Sequence, residues 1–99
     1  MNRSEITKEL KRRGVTDFQM RVLLATYSIP KGKTMTYKQL AKKAGYPHAY
    51  RAVGSVMKMN PLAPTIPCHR VIKSDGSLGN YSAGGTKKKM LMLQREHAI

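Results

Sequence analysis

Residues 36–59 constrain this chain most, because they hold two short amphipathic segments separated by a sharp break. Thr36-Tyr37-Lys38-Gln39 has the Thr-x-x-Gln form of a capping box, in which the two side chains satisfy free N–H groups at a helix start. A short helix carrying Leu40, Ala41 and Ala44 follows, and Gly45-Tyr46-Pro47 ends it, with the proline suited to the first turn of the next helix. In residues 48–59, Ala49, Ala52, Val53, Val56 and Met57 recur at helical spacing and predict one buried stripe. His48, Arg51, Ser55 and Lys58 leave the opposite face small, polar or basic. The pattern predicts a helix-turn-helix whose second helix has a basic outer surface.

The remaining segments fit around it. A solvated helix is expected from Ser4 to Gly14, with Glu9 four residues before Arg13. Asp17 is placed to cap a second helix, in which Phe18, Val22 and Leu23 share a face, ending near Ile29-Pro30-Lys31-Gly32. Three prolines in residues 60–67 predict a stiff, extended loop, continued by the short apolar stretch Cys68 to Ile72. Ser74-Asp75-Gly76-Ser77 reads as a turn, and Gly79 and Gly84-Gly85 mark places of close backbone approach. Thr86 is expected to cap a last helix over 86–96, with Met90, Leu91 and Leu93 inward. Lys87, Lys88 and Lys89 in its first turn read as surface lysines. The helix dipole disfavours each of them there by about 0.3–1 kcal/mol unless an anion is near.

Charge narrows the function. Nineteen Lys and Arg against five Asp and Glu give a net charge of +14. The excess is spread along the chain, +8 in residues 1–49 and +6 in residues 50–99, so it is not a basic tail. A polyanion is the expected partner, and a hydrophobic content of 40% belongs to a folded chain. The N-terminus has no apolar run resembling a signal peptide, and nothing approaches eighteen consecutive apolar residues. One cysteine cannot form an internal disulfide, and with three scattered histidines it is too little for a tetrahedral zinc site. A reducing, intracellular setting (cytoplasm with its nucleoid, or nucleus), a monomer, no membrane and no cofactor are expected. No Gly-rich phosphate loop suggests a nucleotide.

Cys68 carries the candidate chemistry. A lone cysteine is commonly small apolar filler. Here it follows Pro67 and is flanked by His69 and Arg70, whose positive charge or hydrogen bonds favour the nucleophilic thiolate. Both readings stay open on these residues alone, since neighbours in an extended segment point to opposite sides.

Ile66-Pro67-Cys68-His69-Arg70-Val71 resembles the signature of the O6-alkylguanine-DNA alkyltransferases, the methylated-DNA–protein-cysteine methyltransferases. The resemblance extends, in family order and spacing, through Thr36-Tyr37-Lys38-Gln39-Leu40-Ala41, Arg51-Ala52-Val53-Gly54, Asn60-Pro61 and Gly76-Ser77-Leu78-Gly79-Asn80-Tyr81. It covers about Phe18 to Glu96, the family's C-terminal DNA-binding and catalytic domain. The fold it implies is mostly α, a winged-helix-like helix-turn-helix domain with a short active-site strand or loop and little β structure. One domain over 1–99 is expected, with an extension helix (1–16), the helix-turn-helix (36–59), an active-site loop region (60–85) and a C-terminal helix (86–96).

The activity implied is direct-reversal DNA repair, irreversible transfer of an alkyl group from guanine O6 in duplex DNA to the protein's own cysteine. Carried over by residue, Cys68 resembles the acceptor, His69 the proton relay through water, and Glu96 the group orienting His69. Asn60 would brace the turn before the active-site loop. Tyr37 would rotate the phosphate of the flipped nucleotide and donate a proton to the leaving guanine. Arg51 would fill the hole left by the base. Tyr81 and Ser82 would line the base pocket, while Lys38, Tyr46, Ser55, Lys58, Arg70 and Ser74 are expected DNA contacts. Two departures stand out: most members carry a further N-terminal domain that the 17 residues before Phe18 are too few to build, and one extra residue lies near Ala83. Two other classes compete. Alkyltransferase-like proteins recognise the lesion without transfer and lack the cysteine, and a sequence-specific regulator would leave the Pro-Cys-His-Arg block without a role.

Overall fold

The structure, a computed structural model, describes residues 1–79, 81 and 83–99. Three helices begin with a reciprocal capping box. Asn2 and Glu5 start α1 (Arg3–Arg12), Thr16 and Gln19 start α2 (Asp17–Tyr27), and Thr36 and Gln39 start α3 (Tyr37–Lys43). Two expectations are corrected here. Thr16 rather than Asp17 caps α2, because its hydroxyl reaches the Gln19 N–H at 3.1 Å. Helix α1 is not merely solvated, because Ile6 and Leu10, one turn apart, are fully buried in the core.

Gly45, at φ +94°, ends α3. Its N–H donates to Lys42 and the Tyr46 N–H to Ala41, which closes the helix with a left-handed residue that glycine adopts freely. A further turn, Ala49 N–H to the Tyr46 carbonyl at 2.9 Å, delays α4 to Tyr50–Met59, so Pro47 precedes the helix instead of opening it. The buried stripe of α4 is narrower than expected: Val53, Val56 and Met57 face the core, Ala49 is half-buried, and Ala52 is exposed. Helices α3 and α4 pack on α2 around Val22, Leu23, Leu40 and Val53.

Residues 61–66 form turns rather than an extended loop, closed by the Ile66 N–H on the Leu62 carbonyl at 2.9 Å. Cys68–Arg70 is a one-turn 3-10 helix, which runs into β2 (Val71–Ile72). Strand β2 pairs in parallel with β1 (Met35–Thr36), Met35 opposite Val71 and Thr36 opposite Ile72. This ladder fixes the segment after Cys68 to the start of α3. Helix α5 (Gly85–Arg95) has Gly84 at its N-cap, and the Thr86 hydroxyl, expected to cap it, donates to the Gly79 carbonyl instead. Leu93 is buried as expected, but Met90 and Leu91 are exposed, and the residue one turn before Leu93 on the inner face is Lys89. The architecture is the mostly helical helix-turn-helix domain with little β that the sequence implies. Among the described residues no helix is long and apolar enough to cross a membrane.

Candidate active site

The 3-10 turn sends three consecutive side chains in three directions, since its residues sit about 120° apart. Cys68 lines a cleft of about 390 Å³ whose walls include Tyr37 and Lys38 from α3, Tyr50, Gly54 and Lys58 from α4, and Tyr81. The thiol is therefore at the wall of an opening beside the basic helix, although Cys68 is only 5% exposed. Tyr37 occupies the first position of α3, so the Thr36 cap sets where its ring enters. The Tyr37 hydroxyl would lie 3.4 Å from a β-carbon at position 79, and φ there is +74°, so Gly79 suits both the close approach and the backbone. Burial pushes the Tyr37 and Tyr81 phenols up, and a charge on Cys68 adds to it, so both remain hydrogen-bond donors at neutral pH.

His69 turns away from the cleft, 2% exposed, and its Nε2 lies 3.0 Å from Glu96 Oε2. Arg70 holds the same carboxylate from its other side, Nε to Oε1 at 2.8 Å and Nη2 to Oε2 at 2.7 Å, while Nη1 donates to the Ile29 carbonyl. The Arg70 hydrogen bonds pull the Glu96 carboxyl down to about 2, assisted by His69 and opposed by partial burial. An ionised Glu96 accepts, so His69 carries its proton on Nε2 and leaves Nδ1 as the acceptor. Burial also pushes His69 below its ordinary value, outweighing Glu96, so the ring is neutral at pH 7. Nδ1 is buried and has no hydrogen-bond partner among the described residues, which makes it a free base.

Glu96 is fixed by how α5 ends. It is the C-cap; His97 follows in the left-handed region at φ +59°, and the N–H groups of His97 and Ala98 close back on Gln94 and Leu93. His97 is thus a helix terminator rather than part of a frayed tail. Asn60 ties the loop that runs from it to Cys68, its Nδ2 donating to the Ile66 carbonyl at 2.9 Å and its Oδ1 accepting from the Leu62 N–H.

The other expected site residues divide. Lys38, Lys58 and Ser74 are exposed on the cleft; Arg51 and Ser55 are exposed on α4 but do not line it. Two expected DNA contacts point elsewhere. Arg70 is turned inward onto Glu96 and Ile29, and the Tyr46 ring packs edge-on against Phe18 at 4.8 Å, because both side chains come from turns that face the core. Ser82, and Asn80 of the glycine-rich block, lie outside the described residues. Sequence reasoning missed Tyr50, whose ring lies 5.4 Å from the Lys38 ammonium, and Lys73, both on the cleft.

It also missed Lys89, which is fully buried rather than on the surface. Its Nζ donates to the Val71 carbonyl at 2.5 Å and lies 6.0 Å from the centre of the Tyr37 ring. Only its spacing of four from Leu93 could have signalled this. Among the described residues no group of three or more His, Cys, Asp or Glu could hold a metal ion.

Fold and cleft together define a helix-turn-helix domain with a cysteine on the cleft beside its second helix and an imidazole–carboxylate pair where the next residue of the turn meets the end of the last helix. Residues 17–98 match the family profile described as 6-O-methylguanine DNA methyltransferase, DNA binding domain, and the chain belongs to that family. It is 50% identical over 84 residues to the methylated-DNA–protein-cysteine methyltransferase of Methanosarcina barkeri, covering 85% of this chain and 53% of that protein. The Rattus norvegicus protein of the same name is 54% identical over 65 residues, covering 66% and 31%. The chain thus spans about half the length, or less, of these relatives. Mycobacterium tuberculosis OGT, in a crystal structure with DNA, superposes at a TM-score of 0.81 with 44% identity, covering 85% of this chain and 52% of that one. S. pombe Atl1, in complex with damaged DNA containing O6-carboxymethylguanine, superposes at 0.71 with 35% identity, covering 81% and 75%.

Proposed function

We propose that this chain repairs O6-alkylguanine in double-stranded DNA by moving the alkyl group onto Cys68 in a single, irreversible turnover. The observation that carries the reading is a cysteine on the wall of a purine-sized cleft, next in sequence to a buried imidazole whose other nitrogen is held by a carboxylate. A duplex offers no line of attack on the alkyl carbon, so the base is extruded at a cost of a few kcal/mol. Arg51, exposed on α4, fills the place the base leaves. The exposed Ala52 and Ser55 beside it keep that face small enough for a narrow groove. Tyr37 rotates the phosphate of the everted nucleotide, Tyr81 and Ser82 line the base, and Lys38, Lys58 and Ser74 hold the backbone.

His69 Nδ1 takes the Cys68 proton, directly or through one water, while Glu96 stabilises the imidazolium that forms. The sulfur lone pair then forms the S–C bond, the C–O6 bond breaks, and its electron pair leaves with the purine. Tyr37 gives the purine a proton, and the proton on His69 restores the balance. The product is a thioether, and no cofactor takes part. The work belongs wherever the genome is, nucleoid or nucleus.

Intact-mass measurement after mixing with an O6-methylguanine oligonucleotide tests this. One added methylene, located at Cys68 and missing from Cys68→Ala, is expected. An unmodified protein that still binds the lesion tightly would make it a lesion-recognition protein instead.

A further inference from the structure

A second concave surface stands apart from the cleft. It is an open groove of about 330 Å³, formed where the start of α1, the second half of α2 and the end of α3 meet. Arg3 from α1, Arg21 from α2 and Lys43 from α3 converge on it, all three exposed, over a floor that includes Leu24 and Ala44. The groove shares no lining residue with the cleft, and α4 contributes nothing to it. The two sites use opposite ends of α3. Lys38 at its start faces the cleft and Ala44 at its end faces the groove, about 9 Å further along the axis at 1.5 Å per residue.

Local structure accounts for only part of this charge. Arg21 Nη1 passes 3.9 Å from the place a β-carbon on Gly45 would take, and Lys43 lies in the last turn of α3, so both suit the negative end of that helix. Arg3 has no such reason. It opens α1, at the end of a helix where a cation is disfavoured unless an anion is near. Nor do the chain's own acids answer the charge. Glu5 accepts from the Asn2 N–H, Glu9 is held by Arg12 and Arg13, Asp75 by Ser77, and Glu96 by Arg70 and His69. Asp17, one turn before Arg21, forms no ion pair with it among the described residues. Lys43 is also fixed in place: its Nζ donates to Ser28 Oγ at 2.6 Å, and that hydroxyl donates to the Ala25 carbonyl at 2.6 Å. An ammonium has three donors, so this anchor leaves others for a ligand.

We propose that this groove is a second nucleic-acid site, gripping the sugar-phosphate backbone of a duplex segment other than the one held by α4 and the cleft. The proposal rests on α4 and the cleft being the first DNA face, not on alkyl transfer. Two guanidiniums offer planar forks that match phosphate oxygens in pairs, and the anchored ammonium adds a point charge. The apolar residues lie at the bottom, half-buried or buried, so none projects as an anchor for a bilayer. A convex ridge with evenly spaced negative charge fits the shape, and a duplex backbone is such a ridge. The chain then bridges two segments and passes from one to the other without leaving DNA.

Sedimentation velocity of the full chain with a short fluorescent duplex in excess tests this. Complexes of one chain with two duplexes are expected. Arg3→Ala, Arg21→Ala and Lys43→Ala combined should weaken the second step about tenfold or more, while the first step and alkyl transfer from a single duplex stay within about twofold of wild type. Three phosphate contacts give the second step a slope of about −3 for log affinity against log salt. A variant with the same loss of charge elsewhere, Lys8→Ala, Lys11→Ala and Arg95→Ala combined, should keep the second duplex. The proposal is overturned if the groove variant still takes two duplexes, or if the distant variant loses the second one equally. Loss of the first step in the groove variant would also overturn it, by placing the groove on the same duplex as the cleft. Capture of phosphatidylglycerol vesicles through these three residues, with no second duplex, would replace it with a lipid headgroup site. A chain that takes both duplexes yet accepts no methyl at Cys68 would remove the repair reading and leave the second site standing.

Discussion

At the scale of single residues, the Arg70–Glu96–His69 chain makes the sharpest claims. A carboxyl held at about 2 in the folded protein and near 4.5 when unfolded contributes stability that is complete above pH 4.5. That contribution is lost as pH falls towards 2. With solvent screening allowed for, it is worth on the order of 1–2 kcal/mol. Glu96→Gln should therefore lower the melting temperature at pH 7 and flatten the acid limb of the stability curve, as scanning calorimetry from pH 2 to 6 would show. His69 adds a second signature. Because burial lowers its value below 6.5, Nδ1 stays unprotonated at neutrality, and alkyl transfer should be constant around pH 7–8 and decline only on the acid side of 6.5. A rate that already halves on going from pH 8 to 7 would argue against His69 as the base. The Arg51 role separates by substrate. Arg51→Ala should slow transfer from duplex DNA far more than transfer from free O6-benzylguanine, and equal slowing would discard it.

At the scale of elements, caps decide where functional side chains sit. Thr36→Ala removes the hydroxyl that holds the Gln39 N–H at 3.1 Å and should cost about 1 kcal/mol. Because Tyr37 is the next residue, the same change should slow alkyl transfer while leaving Cys68→Ala-type loss of the acceptor unmatched. At the other end of the site, His97 takes a left-handed conformation that costs a residue with a β-carbon roughly 1 kcal/mol. His97→Gly is expected to raise stability in urea by about that amount with Glu96 undisturbed; a drop would mean that the imidazole itself contributes. The capping boxes at 36 and the left-handed Gly45 were legible because they are local, written in four or five consecutive residues. The bound of α5 near 96 was legible too, but the way it closes was not, because nothing in Glu96-His97-Ala98 announces a left-handed stop without the Leu93 carbonyl to close on.

Over the whole molecule, the proposed function together with a net charge of +14 predicts that affinity for duplex DNA is a counterion effect, with Lys38, Lys58 and Lys73 exposed on the cleft and Arg51 exposed on α4. Four phosphate contacts predict a slope of about −4 for log affinity against log salt, and Lys58→Ala should reduce its magnitude by about one. A slope near zero would contradict DNA binding on this face. The sequence by itself determined the helix-turn-helix, the turn chemistry that separates its helices, and the cysteine-bearing hexapeptide with its order relative to Tyr37, Asn60 and Glu96. Those features depend on spacing within one segment or on side-chain type, which a chain displays before it folds. Tertiary structure alone decided that Arg70 clamps Glu96, that Tyr46 packs on Phe18, and that Lys89 is interior while Met90 and Leu91 are not. The reason is that a helix face turns inward or outward according to what the rest of the chain brings against it. Here strand β2, directly after the active-site turn, presents the backbone oxygen of Val71, which a long cationic side chain reaches and an apolar one cannot use.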